Sequence, residues 1–143
     1  MNSELQQQLR NLALKRTIPF CYSCYQQAPT GVCKSCHSDD LMRLLPGHGC
    51  EYGLDWAIAA ILREELTPVD TEEAFQESVR SCYPEEVQVG WMSFDAVTVM
   101  KEMDPISWDL AMSEWLDQKV QEENLVPSGG KYFSRADVEA LIR

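Results

Sequence analysis

The cysteine spacing constrains this chain more than any other feature. Four of the six cysteines form two tight pairs, C-x2-C-x8-C-x2-C, at Cys21, Cys24, Cys33 and Cys36. Disulfide frameworks seldom use such close pairs, whereas two cysteines separated by two residues converge on one metal ion from a single turn. Thiolates are soft ligands that suit Zn²⁺, and four of them complete its tetrahedral shell. The spacing therefore predicts one zinc ion that serves structure rather than catalysis.

Other uses of the same cysteines are less favoured. Iron also accepts four thiolates, but nothing else in the sequence suggests electron transfer. A redox-active dithiol would need a βαβ setting, which the pattern does not show. His37, which directly follows Cys36, and His48 are the alternative ligands that would replace a cysteine.

From Phe20 to about Leu45 the chain resembles the zinc-ribbon and rubredoxin-knuckle class. The resemblance covers under a fifth of the sequence, and eight residues between the pairs is short for a ribbon. It implies a folded element around a metal ion and no particular activity.

The charge is distributed unevenly along the sequence. The net charge is −11 over 143 residues, with a net of +2 in residues 1–49 and −13 in the remainder. A strongly acidic surface repels phosphate backbones, so we do not expect the acidic part to bind nucleic acid directly. It favours a protein partner with a basic surface, and Glu72, Glu73 and Glu77 are the residues we expect to contact it.

The sequence predicts an α+β, mostly helical fold, in which a small N-terminal C4 knuckle precedes an acidic helical domain. The predicted parts are an N-terminal helix (1–17), the knuckle (18–45), a linker (46–53) and the acidic helical domain (54–143). Within that domain, Asp70, Ser93 and Asp104 are the expected helix N-caps. Ser128-Gly129-Gly130 is typical of a hairpin turn. All four tryptophans are expected in the core.

The chain lacks the sequence patterns of the common catalytic sites, including HExxH, G-x-S-x-G, the P-loop and G-x-G-x-x-G. We therefore expect no enzymatic activity. Cys50 and Cys82 are expected to be small buried hydrophobic residues. A nucleophilic role for Cys50 is not expected, because His48, two residues away, has no third group to orient it as a base. The sequence has neither an apolar run of about 18 residues nor a signal-peptide pattern, so the expectation is a cytoplasmic protein without a membrane partner.

Beyond the knuckle, the chain resembles uncharacterised proteins of bacterial mobile elements, in Gly49-Cys50-Glu51-Tyr52-Gly53 and Cys82-Tyr83-Pro84-Glu85-Glu86. That resemblance implies a role in evading host defence. The first hypothesis is a non-enzymatic, zinc-stabilised protein–protein interaction protein. The alternative is an acidic nucleic-acid mimic, antirestriction-like or anti-CRISPR-like, that inhibits a host nuclease or defence system. The third is an accessory regulator that contacts nucleic acid through Tyr22 and Tyr25 on the knuckle.

Overall fold

The computed structural model describes residues 3–143. In chain order its elements are α1 (Ser3–Arg16), β1 (Ile18–Cys21), β2 (Gln26–Gln27), β3 (Met42–Leu45), β4 (Gly49–Glu51), α2 (Asp55–Glu65), α3 (Thr71–Cys82), β5 (Glu86–Val89), β6 (Met92–Asp95), α4 (Ala96–Met103), α5 (Pro105–Gln121), β7 (Leu125–Ser128), β8 (Lys131–Ser134) and α6 (Arg135–Ile142). Small antiparallel sheets thus accompany six helices that contain about half of the described residues. The predicted α+β, mostly helical fold is confirmed.

The chain divides into two compact units. The first comprises residues 3–68 and Val126–Arg143, and the second is Val69–Leu125. Residues 46–53, predicted as a linker, contain β4 and belong to the first unit, so the division follows Pro68 instead. The C-terminal hairpin and helix return to the unit that begins with α1.

The core of the first unit forms where one face of α1 meets the C-terminal segment. Leu5, Leu9 and Ala13 recur every four residues in α1 and are all buried. This spacing places them on one side of the helix. Leu5 and Leu9 share a buried cluster with Val126, Phe133, Leu62 and Val138. The two ends of the sequence are therefore joined by apolar packing.

A four-stranded antiparallel sheet in the order β2-β1-β3-β4 follows α1. Thr17 joins the helix to the sheet: its buried hydroxyl donates to the carbonyl of Ala13 at 2.7 Å and accepts from Arg43 Nε at 2.9 Å. Arg43 also donates to the carbonyls of Leu14 at 3.3 Å and Thr17 at 3.1 Å. A cation that bonds the last carbonyls of a helix satisfies acceptors that otherwise lack an intrahelical partner.

In the second unit, α3, α4 and α5 pack around Phe75, Val97 and Trp108. Two of its helix starts are as predicted from sequence. Asp70 accepts a hydrogen bond from the backbone of Glu73 at 3.1 Å, and Asp104 accepts one from Ser107 at 3.0 Å.

The fold of this unit differs from the predictions for Ser93 and Trp91, which were wrong. Ser93 does not cap a helix but lies in β6 opposite Gln88, and the hairpin continues to Asp95, which caps α4 by accepting from the backbone of Thr98 at 3.0 Å. Trp91 is not in the core but is 93% exposed, because it sits at the turn between β5 and β6.

The same local arrangement, a β-hairpin followed by a helix, occurs three times in the described residues: β3-β4-α2, β5-β6-α4 and β7-β8-α6. In the last two, the final strand residue is also the helix N-cap, Asp95 in one and Ser134 in the other. The last two copies match at Val87 and Val126, Gly90 and Gly129, Phe94 and Phe133, and Val99 and Val138, a spacing that sequence analysis did not recognise. None of the helices within residues 3–143 combines the length and apolar character needed to cross a membrane.

The hairpin β7–β8 provides a test of its contact with α2. Gly129 has φ +59°, and a Cβ there would lie 2.8 Å from Cβ of Ala59. Gly130 has φ +78° and open space around it. We predict that Gly130→Ala lowers the free energy of unfolding by roughly 1–2 kcal/mol through left-handed backbone strain alone, and that Gly129→Ala lowers it further. If urea denaturation gives the same loss of unfolding free energy for both variants, the close approach of Gly129 to Ala59 is contradicted.

Candidate metal centre

The first cysteine pair lies where β1 turns back into β2. Cys21 is the last residue of β1 and pairs with Gln26 of β2. Between them the chain makes a tight turn that ends at Tyr25, whose φ of 52° is left-handed. The backbone of Ala28 then donates to the carbonyl of Pro19 at 2.7 Å and fixes the return of the strand.

The second pair forms a similar turn without a strand. The backbone of His37 donates to the carbonyl of Cys33 at 2.9 Å, and the backbone of Cys33 donates to the carbonyl of Ser38 at 3.0 Å. His37 also has a left-handed backbone, with φ of 60°. In both turns, the residue directly after the second cysteine has this conformation, although neither residue is glycine. The two pairs thus share one kind of turn.

The two turns bring all four cysteines together. The sulfur atoms of Cys21, Cys24, Cys33 and Cys36 all lie within 4.8 Å of one another, and those of Cys21 and Cys36 are 3.6 Å apart. Four sulfurs placed at about 2.3 Å from one zinc ion would be about 3.8 Å apart. Cys21 and Cys33 are buried, Cys24 is half-buried and Cys36 is exposed. The four cysteines are therefore positioned to bind a metal ion, and their spacing is compatible with zinc.

The thiols influence one another's ionisation. Hydrogen bonds with the Cys36 and Cys33 side chains raise the pKa of Cys24 to about 12. The backbone N–H of Cys36, followed by the side chain of Gln26, lowers the pKa of Cys33 to about 6. The backbone N–H of Cys24 acts to lower the pKa of Cys21, but burial and the thiols of Cys36 and Cys33 outweigh it and raise that pKa. Burial and the neighbouring thiols thus oppose the ionisation of Cys21 and Cys24.

Gln26 is a site residue that sequence analysis missed. Its Nε2 donates to Sγ of Cys33 at 3.3 Å and to Oγ of Ser35 at 2.8 Å. A donor to a ligating sulfur fixes its orientation and stabilises its negative charge. Gln26 reaches the second cysteine pair from β2, and no local spacing rule indicates a glutamine in this role.

The two histidines do not belong to this group. Within residues 3–143, the four cysteines alone make up the set of adjacent ligand atoms. His37 is exposed in the second turn. His48 Nε2 instead lies 2.7 Å from a carboxylate oxygen of Glu64. The alternative in which a histidine replaces a cysteine has no support in this geometry.

The remaining cysteines differ from what the sequence predicted. Cys82 is exposed at the end of α3, so the prediction that it is buried was wrong, and Cys50 is half-buried. Cys50 and His48 line one hollow of the first unit. In the described part of the chain, no hydrogen bond joins these two side chains. The absence of enzymatic activity stays a prediction.

The residues predicted to contact a partner are mostly accessible. Tyr22 is 62% exposed and Tyr25 is 75% exposed, although the ring of Tyr25 also packs edge-on against Phe20. Glu73 and Glu77 are exposed on α3. The involvement of these residues in binding stays a prediction.

Glu72 differs from the other two acids because it already has partners within its own unit. It forms an ion pair with Lys101 and accepts a hydrogen bond from Gln76 at 3.2 Å. The hydrogen bond from Lys101 is the largest influence that lowers the pKa of Glu72. Its carboxylate is therefore less available to a partner.

We predict that the purified protein holds one metal ion per chain, and that Cys21→Ser or Cys36→Ser abolishes binding. Structural zinc contributes on the order of 10 kcal/mol in small fingers, so chelation should unfold residues 18–45 and leave Val69–Leu125 folded. Bound metal should also be lost on acidification, because protons compete for the thiolates. Elemental analysis and hydrogen exchange measure these effects. Cys82→Ser is the control, and metal loss in that variant would contradict the assignment.

A second prediction concerns Gln26. We expect Gln26→Ala to weaken metal binding by roughly tenfold or more, as is usual when a ligand loses its orienting hydrogen bond. Gln27→Ala, a change of the same type in the same strand, should leave affinity unchanged because Gln27 is exposed. Competition with a chromophoric chelator measures both affinities. Equal metal affinities in the two variants would show that Gln26 does not contribute to metal binding.

Comparison of the chain with protein-family models, with curated proteins and with solved structures gave no match. The local resemblance to a C4 knuckle is consistent with the four-cysteine cluster. The resemblance of the remaining sequence to mobile-element proteins has no support from a related chain.

Proposed function

We propose that this protein is a zinc-stabilised, non-enzymatic protein–protein interaction protein. The observation that carries the proposal is the convergence of four cysteine sulfurs within 4.8 Å on two matching turns. Four thiolates complete the shell of a zinc ion and leave no coordination position for water or substrate. The metal would then hold residues 18–45 in shape and would not perform chemistry.

The division into two units supports a basic partner. Val69–Leu125 contains fourteen acids and three bases, so its net charge of −11 equals that of the whole chain. The other unit contains nine acids and nine bases. The excess negative charge thus belongs to 57 consecutive residues that fold as one unit. Such a surface attracts a basic protein and speeds its association.

The same unit displays apolar side chains. Among the described residues, nine of the fourteen large apolar side chains that are exposed belong to it: Tyr83, Val87, Val89, Trp91, Met92, Phe94, Met103, Ile106 and Leu110. Interfaces between proteins place apolar and aromatic residues at their centre and charges at their rim. Acids mixed with exposed apolar groups favour an interaction protein over a pure charge mimic.

The second candidate is an acidic mimic of nucleic acid that inhibits a host nuclease or defence system. The concentration of a −11 net charge in 57 residues favours it. A mimic would compete with nucleic acid for one basic groove, whereas an ordinary interaction protein would not. Competition therefore distinguishes the two candidates.

We expect the association rate with the partner to fall as salt rises, because exposed charges are screened beyond about 8 Å at physiological ionic strength. Glu73→Lys with Glu77→Lys should slow association by roughly tenfold or more. Asp39→Lys with Asp40→Lys makes the same charge change in the other unit and should have little effect. Surface plasmon resonance, with a partner identified by cross-linking in host lysate, measures both rates.

Two outcomes would count against the proposal. If the association rate does not change with salt concentration, and both double variants bind like the original protein, the acids form only a solvated surface. If nucleic acid displaces the protein from its partner, the mimic replaces the interaction protein as the explanation.

A further inference from the structure

The second unit contains an apolar groove of about 490 Å³ between α3, α4 and α5. Phe75 and Trp108 form part of its wall, with ring centroids 4.8 Å apart in an edge-to-face arrangement. Both rings are almost fully buried, so they belong to the packed core rather than to mobile surface. Two tightly packed aromatic rings therefore form part of the groove wall. A volume of this size lies within the range of known binding sites, about 300–1,000 Å³.

Much of the rest of the lining is apolar and adaptable, although Ser78, Tyr83 and Ser107 also contribute polar groups. Val79, Val99, Met100 and Met103 contribute to it, and Met103 is 81% exposed. Methionine side chains are flexible and polarisable, and they are common at surfaces that accept different apolar groups. Asp104 is the charged residue of the lining, and its carboxylate already accepts the N-cap hydrogen bond from Ser107. The groove thus offers contact area rather than a polar recognition site.

Exposed acids neighbour residues of the groove lining in sequence. Glu102 directly precedes Met103, and Glu114 lies about one helical turn after Ala111 of the groove wall; both acids are exposed. The whole unit carries a net charge of −11. An apolar groove within such a surface matches a ligand with an apolar stripe flanked by positive charges. Amphipathic helices bind grooves in this way, through residues at i, i+3, i+4 and i+7.

We propose that this groove binds a basic amphipathic helix of a partner protein, with the apolar side chains of that helix packed against Phe75, Met103 and Trp108. The inference rests on the proposed function and deepens it by naming the surface and the chemistry of the partner. Charge complementarity selects a basic helix over an acidic helix or an uncharged apolar molecule. The acidic unit of a second copy of this chain is disfavoured as the occupant, because it carries the same negative charge.

The test uses the full chain loaded with metal and a labelled helical peptide of leucine and lysine, about 18 residues or five turns long. Its leucines follow the i, i+3, i+4, i+7 spacing. One control peptide has the same composition in scrambled order, and another has glutamate in place of lysine. Fluorescence anisotropy gives the affinities. We expect binding of the amphipathic lysine peptide to be at least about tenfold tighter than that of either control, and to weaken with salt.

Matched variants locate the site. Met103→Lys and Ala111→Lys place a charge in the groove at exposed positions, so folding is expected to persist and circular dichroism checks it. Ser113→Lys and Gln121→Lys make the same charge change at exposed positions of α5 outside the groove lining. We expect the first pair to weaken peptide binding by about tenfold or more, because a buried unpaired charge is costly. The second pair should change it by less than about threefold, as rim charges do.

Three results would overturn the inference. The first is equal binding of the amphipathic and scrambled peptides. The second is equal loss of affinity in groove and control variants. The third is uptake of an apolar dye without peptide binding. Suppose that the peptide does not bind, but that a partner still associates in a salt-dependent way that requires Glu73 and Glu77. The groove is then not a helix-binding site, and the proposed function is still supported. If the peptide binds in the groove but no partner shows salt-dependent association, the proposed function fails instead.

Discussion

Four thiols held within 4.8 Å of one another repel as thiolates, and a cation is what lets them ionise together. The local structure around them has little else to stabilise it. β2 is two residues long, and between residues 22 and 41 the buried apolar residues are Ala28 and Cys33. A segment with so small a core has little apolar packing to hold its shape, and a metal ion bound by the four cysteines would stabilise it. The hydrogen bond from Gln26 to Cys33 adds orientation to that coordination.

The knuckle is anchored to the helical body by a second polar interaction. Thr17 and Arg43 connect the end of α1 to β1 and β3 through one buried hydroxyl and one guanidinium. A buried hydroxyl without partners would be costly, so each group depends on the other. The position of the metal centre relative to α1 follows from this pair, because β1 runs directly from Thr17 to Cys21.

The division into two units shows where the excess negative charge lies in the fold, which the sequence alone did not. Along the sequence, the change of sign falls near residue 49. In the fold, the balanced unit combines residues 3–68 with Val126–Arg143, and the acidic unit is the segment between these two parts of the sequence. One unit, which has no net charge, then holds the four cysteines that are positioned to bind a metal ion. The other combines the full excess of acids with an apolar groove and exposed apolar side chains. In the proposed function, the unit with the cysteines therefore has a structural role, and the acidic unit recognises the partner.

The sequence by itself predicted the four-cysteine cluster, the α+β class and the starts of α3 and α5. These depend on local physics: cysteines two residues apart share a turn, and Asp70 and Asp104 cap the helices that directly follow them. Ser93 was misassigned because β6 extends to Asp95, and strand pairing rather than local cap preference sets that boundary. Tertiary structure alone decided the return of β7, β8 and α6 to α1, the role of Gln26, the exposure of Trp91 and Cys82, and the groove. Each depends on contacts between residues distant in sequence or on where an element ends in space, and no short-range pattern encodes those.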